Sequence, residues 1–135
     1  MRVAVYFVPS PDHPLSAAAA AWFGRDLNAR GAEGAPAVPG LSELEASELV
    51  AAPRRYGFHA TLKAPFRLAE PYTMADVAMA LGDFCADRPA PSLGAIGPMG
   101  IGAFFALVPT TARPAVDALA AEAVRAFDRF RAPMT

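Results

Sequence analysis

The chain has 135 residues, of which 54% are hydrophobic and 19% are charged, and its formal net charge is −1. This length fits one domain with its own core, and the near-neutral charge excludes the basic field that would attract a long nucleic acid. No apolar run approaches the ~18 to 20 residues that cross a bilayer, so we expect a cytoplasmic protein with no membrane partner.

The first predicted elements are a strand and a helix. Residues 2–8 are β-branched and aromatic and stop at the proline-rich loop 9–14, which indicates a central strand. From Leu15 the apolar residues follow helical spacing. Gly31 stands where a C-terminal cap belongs, so the helix is expected to end near Arg30.

A short helix and a second strand follow. Ser42 and Glu45 have the spacing of a capping box, and the helix that they begin is expected to run through Val50 and to end at Pro53. Residues 57–62 then alternate between the two sides of a strand.

The next helix is predicted from Thr73 and Asp76, which form a second capping box, to about Ala86. Its apolar stripe includes Cys85, the only cysteine, which is expected to be a small apolar filler and which excludes an intrachain disulfide. The stripe as a whole is Val77, Leu81, Phe84 and Cys85.

A hairpin and a last helix complete the chain. Strand-like runs at 92–97 and 101–108 flank a turn predicted at 98–100. Pro114 stands in the first turn of a helix whose inward side is Val116, Leu119, Ala123, Phe127 and Phe130. Segregated strands and helices of this kind predict one α+β domain over residues 1–135, with a mostly antiparallel sheet covered by helices.

Two polar side chains lie two residues apart on the strand predicted at 57–62. His59 and Thr61 would point to the same side, about 6.5 to 7 Å apart along the backbone, with Lys63 one step further. Histidine exchanges a proton near neutral pH, and a threonine hydroxyl donates to a phosphoryl oxygen. The spacing alone is common by chance, and by itself it favours an incidental histidine.

The surrounding residues carry a resemblance. The segment Arg54-Arg-Tyr-Gly-Phe-His-Ala-Thr-Leu-Lys-Ala-Pro-Phe-Arg-Leu68 resembles the first signature of the two-histidine (2H) phosphoesterase superfamily. Three further segments look like its DUF1045-like branch, which is associated with phosphonate metabolism: Arg2-Val-Ala-Val-Tyr-Phe-Val-Pro9, Asp12-His-Pro-Leu15 and Phe130-Arg-Ala-Pro-Met-Thr135.

The resemblance implies two pseudo-symmetric α+β lobes and metal-independent chemistry on cyclic or 2′,5′-phosphodiesters. His59 would be one of two proton-transfer residues, and Thr61 would hold a non-bridging phosphate oxygen. The second His-X-Thr/Ser motif is absent, since the only other histidine, His13, precedes Pro14 and Leu15. We therefore expect the N-terminal part of a longer bilobal protein, inactive or impaired alone, with no cofactor and no metal.

Other residues are candidates for substrate binding. Lys63 adds positive charge beside the motif, and Arg55 would steer an anion, although paired arginines before a strand are usually solvated. Tyr6 would line the cleft if its strand neighbours that of the motif, with core packing as the alternative. His13, between prolines, is more often a turn or capping residue.

Two functions remain open from the sequence. The first is a 2H-type phosphoesterase acting on a small phosphorylated substrate, such as a cyclic ribose phosphate connected with phosphonate breakdown. The second is a non-catalytic module that binds a phosphorylated ligand or a partner chain. An uncovered apolar sheet face would allow a homodimer.

Overall fold

The computed structural model describes residues 1–24, 34 and 36–133, and it confirms a mixed α+β fold. The predicted order of elements is confirmed as well. The elements are β1 (Arg2–Phe7), α1 (Pro14–Phe23), α2 (Glu43–Arg54), β2 (Ala60–Arg67), α3 (Met74–Ala86), β3 (Ile96–Ile101), β4 (Phe104–Pro109) and α4 (Pro114–Asp128).

The chain forms two compact units. The main unit comprises Met1–Val5 and Leu62–Thr135, and the inserted unit comprises Tyr6–Thr61. The boundary between them passes through β1 and through β2.

The core of the main unit is built from β1, β2, α3 and α4. Phe127, on the inward side predicted for the last helix, is only 1% exposed, and its ring meets that of Phe84 edge-on with centroids 5.6 Å apart. Burial of aromatic rings in such pairs is a large share of the stability of a small core. The buried members are Val3, Val5, Phe66, Val77, Ala123, Phe127 and Phe130.

Helix α3 begins and ends as its sequence predicts, with one exception among its side chains. The Thr73 hydroxyl accepts the Asp76 N–H at 3.3 Å and the Asp76 carboxylate accepts the Thr73 N–H at 2.7 Å, which is the predicted capping box. Cys85 is exposed, so its prediction as a buried filler was wrong. It lies at the edge of the apolar stripe, where helical spacing alone does not fix burial.

In the inserted unit, α2 has the predicted capping box of Ser42 and Glu45 but continues past Val50 to Arg54, with Pro53 inside its last turn. The φ angle of proline is that of a helix. Proline therefore fits in the final turn, where the regular pattern of helical hydrogen bonds ends. The N–H groups of Tyr56 and Gly57 both donate to the Pro53 carbonyl.

Helix α1 ends at Phe23, and Gly24 caps it in the left-handed conformation. The predicted continuation to Arg30 and the predicted cap at Gly31 lie outside the described residues.

Two sheets of two strands each are present in the described part of the chain, β1 with β2 and β3 with β4. Strand β1, predicted to be central, has β2 as its one neighbour there, so that prediction was wrong. Its buried Val3 and Val5 pack against the helices of the main unit rather than between strands.

The β3–β4 hairpin turns at Gly102 and Ala103, not at 98–100 as predicted. Gly102 has φ 59°, which a two-residue hairpin loop of type II′ needs at its first position and which favours glycine. Pro98 is part of β3, opposite Leu107. No helix in the described ranges has the length and apolar character to cross a membrane.

Candidate functional site

The chain reaches His59 through a tight turn after α2. Gly57 is buried and has φ 70°, a left-handed conformation that a side chain would strain. His59 lies one residue before β2, which begins at Ala60, and not inside a strand that begins at 57 as predicted.

The imidazole of His59 is held by the backbone of the same turn. Its Nδ1 lies 2.8 Å from the carbonyl oxygen of Gly57. A carbonyl oxygen only accepts hydrogen bonds, so Nδ1 must carry the proton and donate. In the neutral ring, Nε2 then has a free lone pair, which is the form that takes a proton from a reacting group.

One face of the same imidazole is covered by Tyr6, from the end of β1. The two ring centroids are 4.0 Å apart and the ring planes differ by 33°. Tyr6 and His59 are both half-buried, and β1 is the neighbour of β2 as the sequence argument required. The structure therefore brings these two predicted site residues together within the inserted unit.

Thr61 is exposed at the second position of β2, two residues after His59. The residue is therefore open to solvent. A hydroxyl there is able to donate to an oxygen of a bound phosphoryl group.

The two arginines before the motif are at the end of α2. Arg54 donates from Nε to the Phe23 carbonyl at 2.6 Å and thereby ties α2 to the last residue of α1. Arg55 is the exposed C-cap residue of α2. Both arginines also have interaction partners beyond these.

Lys63, the only lysine of the chain, belongs to the main unit. It is 6% exposed, and its ammonium group donates to Asp128 at 2.7 Å and to the Val124 carbonyl at 3.1 Å. Hydrogen bonds from Arg131 and Lys63 hold the pKa of the Asp128 carboxyl well below its usual range. The charge of Lys63 is thus engaged on α4, and its substrate contact stays a prediction.

His13 has the capping role that its sequence context favoured. Its Nδ1 accepts a hydrogen bond from the Leu15 N–H at 3.1 Å at the start of α1. An acceptor nitrogen carries no proton, so the proton of the neutral His13 ring is on Nε2. This is the opposite of the arrangement at His59.

Gly57 is a site residue that the sequence argument missed. The signal was available, because a glycine between a helix and a strand often marks a left-handed turn. The contact between the Gly57 carbonyl and His59 could not be predicted from the sequence, because it depends on the geometry of the turn.

Comparison with known proteins supports a family assignment. The family described as "Protein of unknown function (DUF1045)" matches residues 61–135. No solved structure matches the chain.

Two curated relatives are both named "Ribose 1,5-bisphosphate phosphokinase PhnN". The protein of Janthinobacterium sp. (strain Marseille) is 37% identical over 134 residues, which are 99% of this chain and 30% of the relative. The protein of Laribacter hongkongensis (strain HLHK9) is 38% identical over 133 residues, 98% of this chain and 32% of the relative. The chain therefore spans about a third of the length of these relatives.

Proposed function

The chain belongs to the DUF1045 family, which matches more than half of its length, and from this premise we propose that it carries one proton-transfer centre of a two-histidine phosphoesterase. The substrate class is a small phosphodiester, and the pathway is phosphonate metabolism. The observation that carries the proposal is the fixed imidazole of His59, with Nδ1 bound to Gly57 and Nε2 left for chemistry.

The proposed reaction is hydrolysis. A water oxygen attacks phosphorus while its proton passes to Nε2 of His59, and the bond from phosphorus to the leaving alkoxide breaks. A second acid protonates the alkoxide. Each such proton transfer typically contributes about 10² to 10⁴ in rate. His13 does not serve as that acid in our proposal, because its Nδ1 is engaged as a helix cap.

The other candidate residues of the inserted unit have binding roles in this scheme. Thr61 donates its hydroxyl to a non-bridging oxygen, Tyr6 fixes one face of the imidazole and lines the site, and Arg55 attracts the anion. Lys63 joins β2 to α4 through Asp128, and its contact with the substrate stays a prediction from the sequence.

The relatives support a phosphorylated pentose as the substrate to test first, since their name specifies ribose 1,5-bisphosphate. Their phosphokinase activity belongs, in our proposal, to the part of their length that this chain does not span. The sequence here contains no Gly-x₄-Gly-Lys-Ser/Thr phosphate loop. Its lysine is bound to a carboxylate.

The second lobe is expected in that remaining length as well. The short share of the relatives that the chain spans supports a longer bilobal protein whose second half supplies the missing acid. Alone, the chain has one of the two proton-transfer groups, so its turnover is expected to be slow.

The test is ³¹P-detected turnover of ribose cyclic phosphates by the chain and by three variants, with and without EDTA. His59→Ala and His59→Gln are expected to reduce turnover by about 10² to 10⁴, Thr61→Val to weaken binding, and EDTA to have no effect. Turnover that survives His59→Ala would contradict the proposal.

The second candidate function is binding without chemistry, which the single histidine motif favours. It predicts saturable binding of ribose phosphates that Thr61→Val weakens, with no turnover in any variant. Thermal shift against ligand concentration measures the binding that both candidates predict, and turnover measured on the same samples separates them.

A further inference from the structure

The two arginines at the end of α2 differ in what their side chains can reach. Arg55 is exposed, whereas Arg54 is half-buried and its Nη2 atom is buried. The Nε–H of Arg54 donates to the Phe23 carbonyl at 2.6 Å. A guanidinium held inside the protein in this way is not presented to an anion in solvent. The role of Arg54 therefore has to be sought within the protein.

The Arg54 hydrogen bond joins the C-terminal ends of two helices. Phe23 is the last residue of α1, Arg54 is the last residue of α2, and the two helices pack against each other. The last carbonyls of a helix have no partner within it, and they carry partial negative charge. Helix α1 has no basic residue in its own last turn, so Arg54 supplies positive charge to its end. A hydrogen bond from a charged donor is about twice as strong as a neutral one, and this contact fixes where α2 ends relative to α1.

The end of α2 determines the position of the His59 imidazole. The Pro53 carbonyl, directly before Arg54, accepts hydrogen bonds from the N–H groups of Tyr56 at 3.1 Å and Gly57 at 3.0 Å. The Gly57 carbonyl in turn accepts from Nδ1 of His59 at 2.8 Å. A displacement of Arg54 is therefore passed to His59 through the hydrogen bonds of this turn.

The second contact of the imidazole is fixed to α1 as well. Tyr6, which covers one face of the ring, is near the end of β1, and the loop after β1 leads into α1. In that loop the Ser10 carbonyl accepts from the hydroxyl of Ser16, in the first turn of α1, at 2.8 Å. Helix α1 is therefore the common support of both contacts of His59. Its first turn holds the Tyr6 side, and its last residue holds the Gly57 side.

We infer that Arg54 is a positioning residue for His59. Its bond to the Phe23 carbonyl holds the Gly57 carbonyl where it keeps the proton of the imidazole on Nδ1 and leaves Nε2 bare for the reacting proton. The inference rests on the function proposed above, and it gives the two arginines different roles. Arg55 attracts the anion, and Arg54 acts only through His59.

Three substitutions separate a positioning role from a role of the charge. In Arg54→Gln the side-chain amide nitrogen occupies the place of Nε, so the donor to Phe23 is kept and the charge is lost. In Arg54→Lys the charge is kept, but a methylene occupies that place and the donor lies one bond further out. Arg54→Met keeps neither. Arg67→Met is the matched control, because the Arg67 guanidinium also donates to a distant carbonyl, that of Pro133 at 3.0 Å, but belongs to the main unit.

The first measurement is the tautomer of His59 by long-range ¹H–¹⁵N NMR at a pH of about 8.5, where unperturbed imidazole is neutral. The unmodified chain, Arg54→Gln and Arg67→Met are expected to carry the proton on Nδ1. Arg54→Met is expected to populate both tautomers, because the Gly57 carbonyl is no longer held in place. His13 in the same spectrum should keep its proton on Nε2 in every variant, which shows that α1 remains folded.

The second measurement is turnover of a ribose cyclic phosphate, followed by ³¹P NMR. Misplacement of a reacting group by about 1 Å can cost about 100-fold in rate. Arg54→Met is therefore expected to lower kcat by about 10- to 100-fold with KM unchanged. Arg54→Gln should stay within a few-fold of the unmodified chain, and Arg54→Lys should lie between the two. Arg55→Gln should instead raise KM.

Greater turnover in Arg54→Lys than in Arg54→Gln, or a raised KM in Arg54→Gln, would overturn the inference, because the charge would then contact the substrate. A His59 tautomer that Arg54→Met leaves unchanged would overturn it too, as would an equal loss in Arg67→Met. If Arg54→Met does not fold, Arg54→Gln and Arg54→Lys provide the same comparison. If no chain shows turnover, the proposed hydrolysis fails, while the tautomers still decide the role of Arg54.

Discussion

The two histidines of the chain lie in the same inserted unit and have opposite hydrogen-bond roles. At His13, Nδ1 accepts from the Leu15 N–H and stabilises the start of α1. At His59, Nδ1 donates to the Gly57 carbonyl, and the ring is covered by Tyr6. The residue type is the same, yet one ring is committed to a helix end and the other presents a free nitrogen. The partner of Nδ1, not the presence of histidine, distinguishes the candidate site.

The largest effect expected from this comparison is on turnover. His59→Ala should reduce phosphodiesterase turnover by about 10² to 10⁴, because a proton-transfer group is lost. His13→Ala should leave turnover within a few-fold, as it removes only a cap. Initial rates followed by ³¹P resonance decide between them, and equal losses in both variants would break the distinction.

Gly57 is the next position at which the comparison can be tested. Gly57→Ala puts a side chain at φ 70°, which should reduce the free energy of unfolding by about 1 to 2 kcal/mol and move the carbonyl away from His59. Gly82→Ala is the control, since nothing lies within 4 Å of the added Cβ in mid-α3, and it should raise stability by about 0.5 to 1 kcal/mol. Urea denaturation measures both. If Gly57→Ala leaves the free energy of unfolding unchanged, the turn does not hold the imidazole ring of His59.

Lys63 provides another test of the difference between structural and site residues. Its ammonium group is hydrogen-bonded within the protein, as Nδ1 of His13 is. The lowered pKa of Asp128 means that this carboxyl contributes stability above its unfolded pKa, and that this contribution disappears as pH falls towards the folded value. Asp128→Asn should therefore lower the urea midpoint at pH 7 and have much less effect near pH 2. An equal loss at both pH values would show that the charge of Asp128 is not what matters.

The smallest expected effect is on the cap itself. His13→Ala should reduce the free energy of unfolding by about 0.5 to 1 kcal/mol, at the lower end of values for lost helix caps, and His13→Asn should restore most of it. Thermal unfolding monitored at 222 nm compares the three proteins. A loss that asparagine does not restore would point to a role for His13 beyond capping.

Local signals in the sequence predicted much of the fold. The capping boxes at Ser42 and Thr73 and the inward side of the last helix depend on residues within one or two turns, so spacing alone identifies them. The turn at Gly102 was not predicted, because proline usually interrupts a strand and Pro98 was therefore placed in the turn. Only the cross-strand register shows that its missing N–H faces outward.

The candidate site was predicted in part for the same reason. His59 and Thr61 came from a local motif, and the neighbourhood of Tyr6 followed from the pairing of β1 with β2. The hydrogen-bond partner of Lys63 could not be predicted from the sequence, because Asp128 lies 65 positions further along the chain. The direction of the His59 hydrogen bond needed the geometry of the Gly57 turn.

The most direct test of the central claim is the tautomer of each histidine, measured by long-range ¹H–¹⁵N NMR at a pH of about 8.5, where unperturbed imidazole is neutral. The account predicts a proton on Nδ1 and a bare Nε2 for His59, with the reverse for His13 in the same spectrum. A His59 protonated on Nε2, or two histidines with the same tautomer, would contradict it.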